Sequence, residues 1–527
     1  MKLRLHLLPL IGALLFAGCS TYTQQTNEMI ESARQGRVDL AAEQSLELAK
    51  KNQTGRDAIV YELEAGAAQR TLALAKLPAP PAPLTPAPAA PAMGTSGAAP
   101  GTPPPAAPPP PASPSDGAYE RSLHIFDSAD EAIDDYEVKA KHSVSSGVTS
   151  AVINPATTPY RGQASDKVML STYQAINYLQ LGDTEKARAS LNKAYKRQAD
   201  AVAENSKRIE ADKAKIEAAK NGQTQDEKGK SAGTGFDTDR AQNDPKVAAA
   251  LADLNSNLDA RLKAYADYVN PYTTFIDGLF MMTNASDAQE QERAAKEFER
   301  VASMADGNNY LKEDAMLAQD IARGNALPKL TYVVFETGEA PHREEVIIPV
   351  PLFLFTTNEL LYTQVPISKL LFNDQVNQNL SIDCGGTVKV TSEICNMDSV
   401  IAREFKNQLT SMWVNALVCA ATKAIIQHEA NKAIDRSSNN ALAGLFVKAA
   451  LAVTNAATTR ADTRSWRSLP KSFGYARFST PESGTITVST PDGQSKQVKL
   501  PAAKVVVVYV KQAQPGMALL ADSFALR

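Results

Sequence analysis

Residues 168–198 read VMLSTYQAINYLQLGDTEKARASLNKAYKRQ, two apolar stripes that meet at Gly182-Asp183. Ala175 and Tyr178 stand three apart on the first stripe, and Ala187, Leu191 and Ala194 take the i, i+4, i+7 face of the second. Small residues at 175, 187 and 194 allow two antiparallel helices to approach closely, with Tyr178 filling the space beside them. The spacing predicts a helical hairpin with a glycine turn.

That hairpin resembles the tetratricopeptide repeat (TPR) at Ala175, Tyr178, Gly182, Ala187, Leu191 and Ala194, with Ala199 where the repeat usually carries proline. Weaker copies lie on both sides. In ARQGRVDLAAEQSLELAKKN (33–52) the turn is at Gly36, and Ala42, Leu46 and Ala49 repeat the second-helix spacing. In TTFIDGLFMMTNASDAQEQERAAKEFERVASM (273–304), Gly278 is followed by Ala294, Phe298 and Val301. Each copy alone could be an ordinary helical hairpin; together they predict a repeat array in which neighbours bury one another's apolar faces.

Between the first two copies runs KLPAPPAPLTPAPAAPAMGTSGAAPGTPPPAAPPPPASPSDG (76–117). Before it, 57–76 reads as a helix with Leu63 and Gly66 on one face; after it, 118–137 reads as a second, with Ser122, Phe126 and Ala129 at i, i+4, i+7. Neither helix has another partner nearby in sequence. The tract, 78–117, is therefore expected to be a disordered Pro/Ala-rich loop inserted where a short repeat turn would stand, and not a boundary between domains. Proline removes backbone donors and stiffens the chain, so such a loop stays solvated. It is either a tolerated insertion or a ligand for a proline-reading domain or the cell wall.

A second projection is expected over 196–268. Tyr195, Val202, Ile209 and Ile216 recur every seven residues, and Val247, Leu251, Leu254, Leu258, Leu262 and Tyr265 form a facing stripe. This predicts an antiparallel helical arm with a mobile tip. The tip carries GKS at 229–231, but Thr224 stands where a phosphate loop needs its first glycine, so no nucleotide site is expected.

After residue 328 the period becomes extended. KLTYVVFETG and REEVIIPVPLFLF read as strands paired around GEAP, and a long helix follows from Asp398, then a second helical run at 441–457. SFGYARFST, GTITVST and AAKVVVVYVKQ read as later strands. The fold class expected is α+β: an N-terminal TPR-like helical domain (19–327) followed by a C-terminal α+β domain (328–527), whose mixed sheet is covered by the helical pair.

The first 18 residues combine two positive charges, the apolar run LHLLPLIGALLF and the small residues before Cys19. They read as a lipoprotein signal peptide, with Cys19 as the lipidation site and Ser20 similar to lipoproteins sent to the outer membrane. The other reading is ordinary secretion with Cys19 as a bystander. Of 527 residues, 43% are hydrophobic and 21% charged, enough for a globular body, and the net charge of −3 gives no reason to expect nucleic acid as a partner. Cys384 and Cys395 flank a short β-type run, a spacing that suits a disulfide in an oxidising compartment or two free thiols. Cys419 reads as a small apolar residue on a helix face.

YRGQASDKVMLSTYQAINYLQLGD, VNPYTTFIDGLF, VVFETGEAPHREE and ADTRSWRSLPKSFGYARF occur in an order that resembles an uncharacterised family of TPR-containing bacterial outer-membrane lipoproteins with a C-terminal α+β domain. The resemblance implies an outer-membrane or periplasmic protein, often encoded near small lipoproteins, and brings no catalytic residues.

The residues themselves point the same way. HEANK (428–432) has Lys432 where a zinc-protease helix needs its second histidine. EAPHREE groups Glu339, His342, Glu344 and Glu345, which could hold a metal but read as a solvated charged loop. In SLPK (468–471), Pro470 breaks the helix that would bring Lys471 to Ser468. In ADTRSW, an extended chain puts Asp462, Arg464 and Trp466 on one face, either an ion pair under an indole that locks the helical pair to the sheet or a recognition patch. The expectation is a lipid-anchored envelope scaffold, not an enzyme, with no cofactor or metal and no small-molecule substrate identified. Its partners would be other envelope proteins, neighbouring small lipoproteins among them. The alternatives are a structural part of an outer-membrane secretion or pore assembly, and a cell-wall-acting enzyme.

Overall fold

A computed structural model describes residues 22–76, 115–144, 153–305, 307–437 and 459–527. Cys19, residues 77–114 of the proline-rich tract and the helical run at 441–457 lie outside the described residues, and Asp116 and Gly117, expected in the inserted loop, already belong to the helix that follows it.

The helices are α1 (Tyr22–Arg34), α2 (Val38–Asn52), α3 (Ala58–Leu74), α4 (Asp116–Val144), α5 (Ala164–Gln180), α6 (Thr184–Lys220), α7 (Thr238–Gln242), α8 (Pro245–Asp259), α9 (Pro271–Asn284), α10 (Ala288–Met304) and α11 (Asn309–Ala322). The chain then turns to strands β1 (Leu330–Thr337), β2 (His342–Phe353), β3 (Leu360–Leu371), β4 (Ser381–Asp383), β5 (Val388–Val390) and β6 (Ser392–Asn396). The long helix α12 (Met397–Ser437) precedes β7 (Ser472–Ser479), β8 (Thr485–Ser489), β9 (Ser495–Lys499), β10 (Val505–Gln512) and β11 (Leu520–Ala525). The fold is α+β.

Helices α5 and α6 form the hairpin around Gly182, whose φ of +78° is one that a side chain resists. The Asp183 carboxylate accepts from the Lys186 amide at 3.0 Å and caps α6. Helices α3 and α4, on either side of the proline-rich tract, pack together. A Cβ on Gly66 would stand 2.3 Å from the Phe126 ring, so only glycine lets these helices meet at that point. Ser122 donates to the Gly66 carbonyl at 2.7 Å across the same contact.

Among the described residues three sheets replace the single one expected. The largest has the order β11-β10-β1-β7-β6, with β1 parallel to β10 and antiparallel to β7. Strand β1 is buried along its whole length and alternates between two cores. Tyr332 and Val334 face the helices, with Tyr475, Val507 and Tyr509 beside them. Val333 and Phe335 face the small sheet β5-β4-β8-β9 through Ile382, Val488 and Val498. One apolar core joins Tyr61, Phe126 and Phe275 to Tyr332, Trp466 and Phe524, so the helical and strand-rich halves share it across residue 328. Tyr272 stacks on Phe473 with ring centroids 3.7 Å apart at that junction.

Two strand expectations are corrected. Strand β2 pairs with β3 and not with β1, forming a separate hairpin with Pro349 and Pro351 on a two-stranded ribbon, where a missing amide donor is tolerated. Helix α12 covers this hairpin, not the five-stranded sheet. It is long and apolar enough to cross a membrane, yet 67% of its most apolar window is buried inside the fold.

The arm over 196–268 also differs from expectation. Its second stripe, Val247, Leu254 and Leu258, packs against β2–β3 and α12, while α6 runs along α12. The reason is area: Ile348, Val350, Phe405 and Trp413 offer a broader apolar surface than the single row on α6. The tip is ordered. Phe236 is buried and bridges Leu354, the Asp237 amide donates to the Phe353 carbonyl at 2.9 Å, and Thr422 meets Thr224 at 2.8 Å.

Under the sheet, Asp314 is fully buried and accepts from the Tyr332 and Tyr475 hydroxyls, each at 2.8 Å, with the Arg477 guanidinium 3.2 Å away. Burial outweighs these partners and pushes its carboxyl up to about 6. The folded state therefore holds this proton between about pH 4 and 6 when the unfolded chain has released it. The group's stabilisation is complete below about pH 4 and is lost as pH rises through 6. Asp314→Asn is expected to flatten the dependence of the urea midpoint on pH between 4 and 7 by about 1–3 kcal/mol in unfolding free energy. Equal slopes for the two proteins would contradict this.

Candidate interaction surface

Helix α6 is 37 residues long, and its burial explains the surface it presents. Ala187, Leu191 and Ala194 are buried against α5, and Ala219 near the far end joins the α12 core. Between them, the row with the seven-residue spacing points outward. Tyr195 is 48%, Val202 51% and Ile209 50% exposed. Ala199, Ala203 and Ser206 are exposed between them. Large apolar groups interleaved with small ones make a helix face suited to a second helix. The stripe that was expected to cover this row lies on the hairpin and α12. The Arg293 guanidinium stands 4.7 Å from the centre of the Tyr195 ring.

The residues that resemble a repeat signature lie at the hairpin joint. Ala175, Ala187, Leu191 and Ala194 are buried, Tyr178 is half-buried with its hydroxyl 3.4 Å from Asp127, and Gly182 makes the turn. One charged group fixes the start of α5. The Ala164 and Ser165 amides donate to the Glu404 carboxylate of α12 at 2.7 and 2.9 Å, an anion at the positive end of the helix dipole.

Asp462, Arg464 and Trp466 come together, at a different seam from the one expected. Arg464 donates to both Asp462 oxygens at 2.8 Å, to Asp57 at 2.9 Å, and to the carbonyls of Pro155 and Thr158 at 2.8 Å. Trp466 is buried, edge-on to Phe126 and Tyr173 with centroids 5.8 Å away, and its indole N–H donates to Ser468 Oγ at 2.9 Å. The cluster thus ties the segment before β7 to α3, α4 and α5, not to a helical pair on the sheet. Burial works against the Asp462 charge, but the Arg464 fork holds its carboxyl below the usual range.

Cys384 and Cys395 are free thiols. Cys395 is buried against Asn270 and Met397, whereas Cys384 lies half-buried after β4 with its thiol toward the Ile382 carbonyl. Burial pushes the Cys384 thiol up to about 11 and the Cys395 thiol higher, so neither is a reactive thiolate. Cys419 is buried on α12.

The remaining polar clusters have internal partners. Glu339 is gripped by Arg34 through Nη2 at 2.7 Å and Nε at 3.0 Å. Glu359, His428 and Glu429 place ligand atoms within 4.8 Å of one another, but the Lys432 ammonium binds both Glu359 oxygens at 2.8 and 3.0 Å and supplies the cation there. Lys471 pairs with Asp374 at 3.1 Å and with Asp398, away from Ser468. The comparisons add no neighbour: no protein-family model, curated protein or solved structure matches the chain.

Proposed function

We propose that the protein is a lipid-anchored scaffold of the bacterial cell envelope. Cys19 would hold it at the outer membrane facing the periplasm, and TPR-like hairpins with the outer face of α6 would bind another envelope protein. The observation that carries this reading is the uncovered row Tyr195, Val202 and Ile209, three large apolar groups half exposed on one helix face. Exposed apolar rows of this kind mark docking surfaces, and an amphipathic helix recognised at i, i+7 spacing is the partner they suit.

The test places a photo-crosslinking side chain at Val202 in cells and, as a control, at exposed Lys50 on α2. A discrete cross-linked product at 202 and none at 50 is expected. Val202→Glu with Ile209→Glu, read at Tyr195 by the same chemistry, is expected to reduce the product at least tenfold. Because both sites are solvent-facing, stability should stay within about 0.5 kcal/mol. Undiminished cross-linking in the double variant would remove α6 as the partner face.

A further inference from the structure

Strands β2 and β3 form a two-stranded ribbon, and its two outer edges differ. Phe353 lies opposite Leu360, and its carbonyl points away from β3 to accept the Asp237 amide at 2.9 Å. Opposite residues of an antiparallel pair alternate between exchanging hydrogen bonds and turning their backbone groups outward. The pairs Pro351 with Tyr362, Pro349 with Gln364 and Ile347 with Pro366 therefore also turn outward, which is where a proline leaves the ladder intact. The outer edge of β2 is protected. Pro349 and Pro351 present no donor, Asp237 covers Phe353, and the Phe355 amide donates to the Gly235 carbonyl at 3.1 Å. Such devices keep an edge from recruiting another strand. The exposed half of β3 lacks them. Tyr362 and Gln364 each turn an N–H and a C=O outward, and among the described residues none of these four groups is hydrogen-bonded.

Beside this open edge lies a groove of about 460 Å³, with Tyr362, Thr363 and Gln364 of β3 on one side and Ala420, Lys423 and Ala424 of α12 on the other. Alanines on the helix side leave depth for a ligand's side chains. Tyr362, 73% exposed, and Ile347, 50% exposed, stand at its apolar rim. Pro366, Thr459 and Arg460 line both this groove and the smaller cavity next to Ser368, so they form the partition at which the groove ends. Two charged groups of the walls have partners: Lys423 pairs with Glu227 at 3.3 Å, and Glu345 accepts the Ala461 amide at 2.7 Å. Arg460 differs. It is exposed and, among the described residues, forms no ion pair.

The geometry points to a binding site for the C-terminal segment of a partner polypeptide, added to β3 as a third strand with its terminal carboxylate at Arg460. The chain runs parallel to β3, because Arg460 stands at the Pro366 end of the edge. Unpaired amides and carbonyls along a strand edge are matched by an extended backbone and not by a helix. A groove that ends at an unpaired guanidinium suits a chain that stops there, and the fork matches both oxygens of a terminal carboxylate. An extended chain here is a different ligand from the helix proposed for the outer face of α6.

The test pans the purified full chain against random octapeptides displayed with free C-termini, and measures the enriched peptides by fluorescence polarisation. Saturable binding is expected, at least tenfold weaker when the C-terminus is an amide, and Arg460→Gln should abolish that preference. Gln364→Pro removes one outward amide in a class of position where the hairpin already holds three prolines. It should weaken binding at least tenfold at an unchanged urea midpoint, whereas Gln364→Ala should not. Peptides N-methylated on alternate amides keep every side chain, and one phase of methylation should cost at least tenfold more than the other, which tests strand addition without altering the protein. The site is overturned if no peptide is enriched, if acid and amide bind alike, if Gln364→Pro leaves binding intact, or if both methylated peptides bind as well as the parent.

Discussion

Arg464→Met is expected to destabilise the protein by about 3–5 kcal/mol, because it removes one member of a buried charge cluster and leaves the others without a partner. The guanidinium serves two carboxylates, Asp462 and Asp57, together with the carbonyls of Pro155 and Thr158. Asp57 and Asp462 are mostly covered, so most of their charge would be left without a compensating cation at the seam between the segment before β7 and the helices. Arg464→Lys keeps the charge but not the planar fork, so it should recover part of the loss and not all of it. Urea denaturation of the three proteins measures the order. Amide exchange at 155–160 should rise first in the methionine variant, since that segment is held by the lost hydrogen bonds. A methionine variant as stable as the parent would show that the cluster contributes nothing net.

Trp466→Ala is the second large effect. The indole is 1% exposed and fills the space between Phe126 and Tyr173 where α4 and α5 meet the strand-rich half. Truncation leaves a cavity against the buried rings of Phe126 and Tyr173, and about 3–5 kcal/mol is expected from calorimetric or urea unfolding. Trp466→Phe retains most of the packing and should lose less than half as much. The two sites are two residues apart, so their effects will not add. In the double variant Arg464→Met, Trp466→Ala the loss should fall short of the sum by at least about 0.5 kcal/mol, because either change alone loosens the same seam. Strict additivity would mean that the ion cluster and the indole secure separate parts of the fold.

Local pattern carried much of the fold. Gly182 between two apolar stripes marks α5 and α6, and Phe126 with Ala129 marks the face of α4 that meets α3. Strands β1, β7, β8 and β10 were also legible, as β-branched and aromatic runs bounded by turn residues. Pairing was not. Strand β1 finds its neighbours in β7 and β10, which follow it by more than a hundred residues, and nothing in an eight-residue run specifies such a partner. The two stripes of the arm show the same limit. Each periodicity was real, but a stripe records only that a face is apolar, and Val247 and Leu254 chose the larger surface of β2–β3 and α12. At the Asp462–Arg464–Trp466 cluster the sequence showed a charge pair and an indole on one face. It could not show Asp57 or the 155–158 carbonyls, which arrive from the other half of the chain.

The position of β10 has a consequence for how the protein is made. Tyr332 and Tyr475 sit on the helix-facing side of the sheet with Val507 and Tyr509, and the inner faces of α3, α5 and α9 close on all four. A ribosome working at ~5–20 residues per second delivers the ~190 residues between α11 and the end of β10 over roughly 10–40 s. Until β10 is made, the apolar sides of the helices have no strands to cover them, and no partial product can complete the hydrophobic interior. Synthesis order thus makes the nascent helical layer the natural client of a holding chaperone, and makes truncation anywhere before Val505 far more damaging than the loss of one strand suggests.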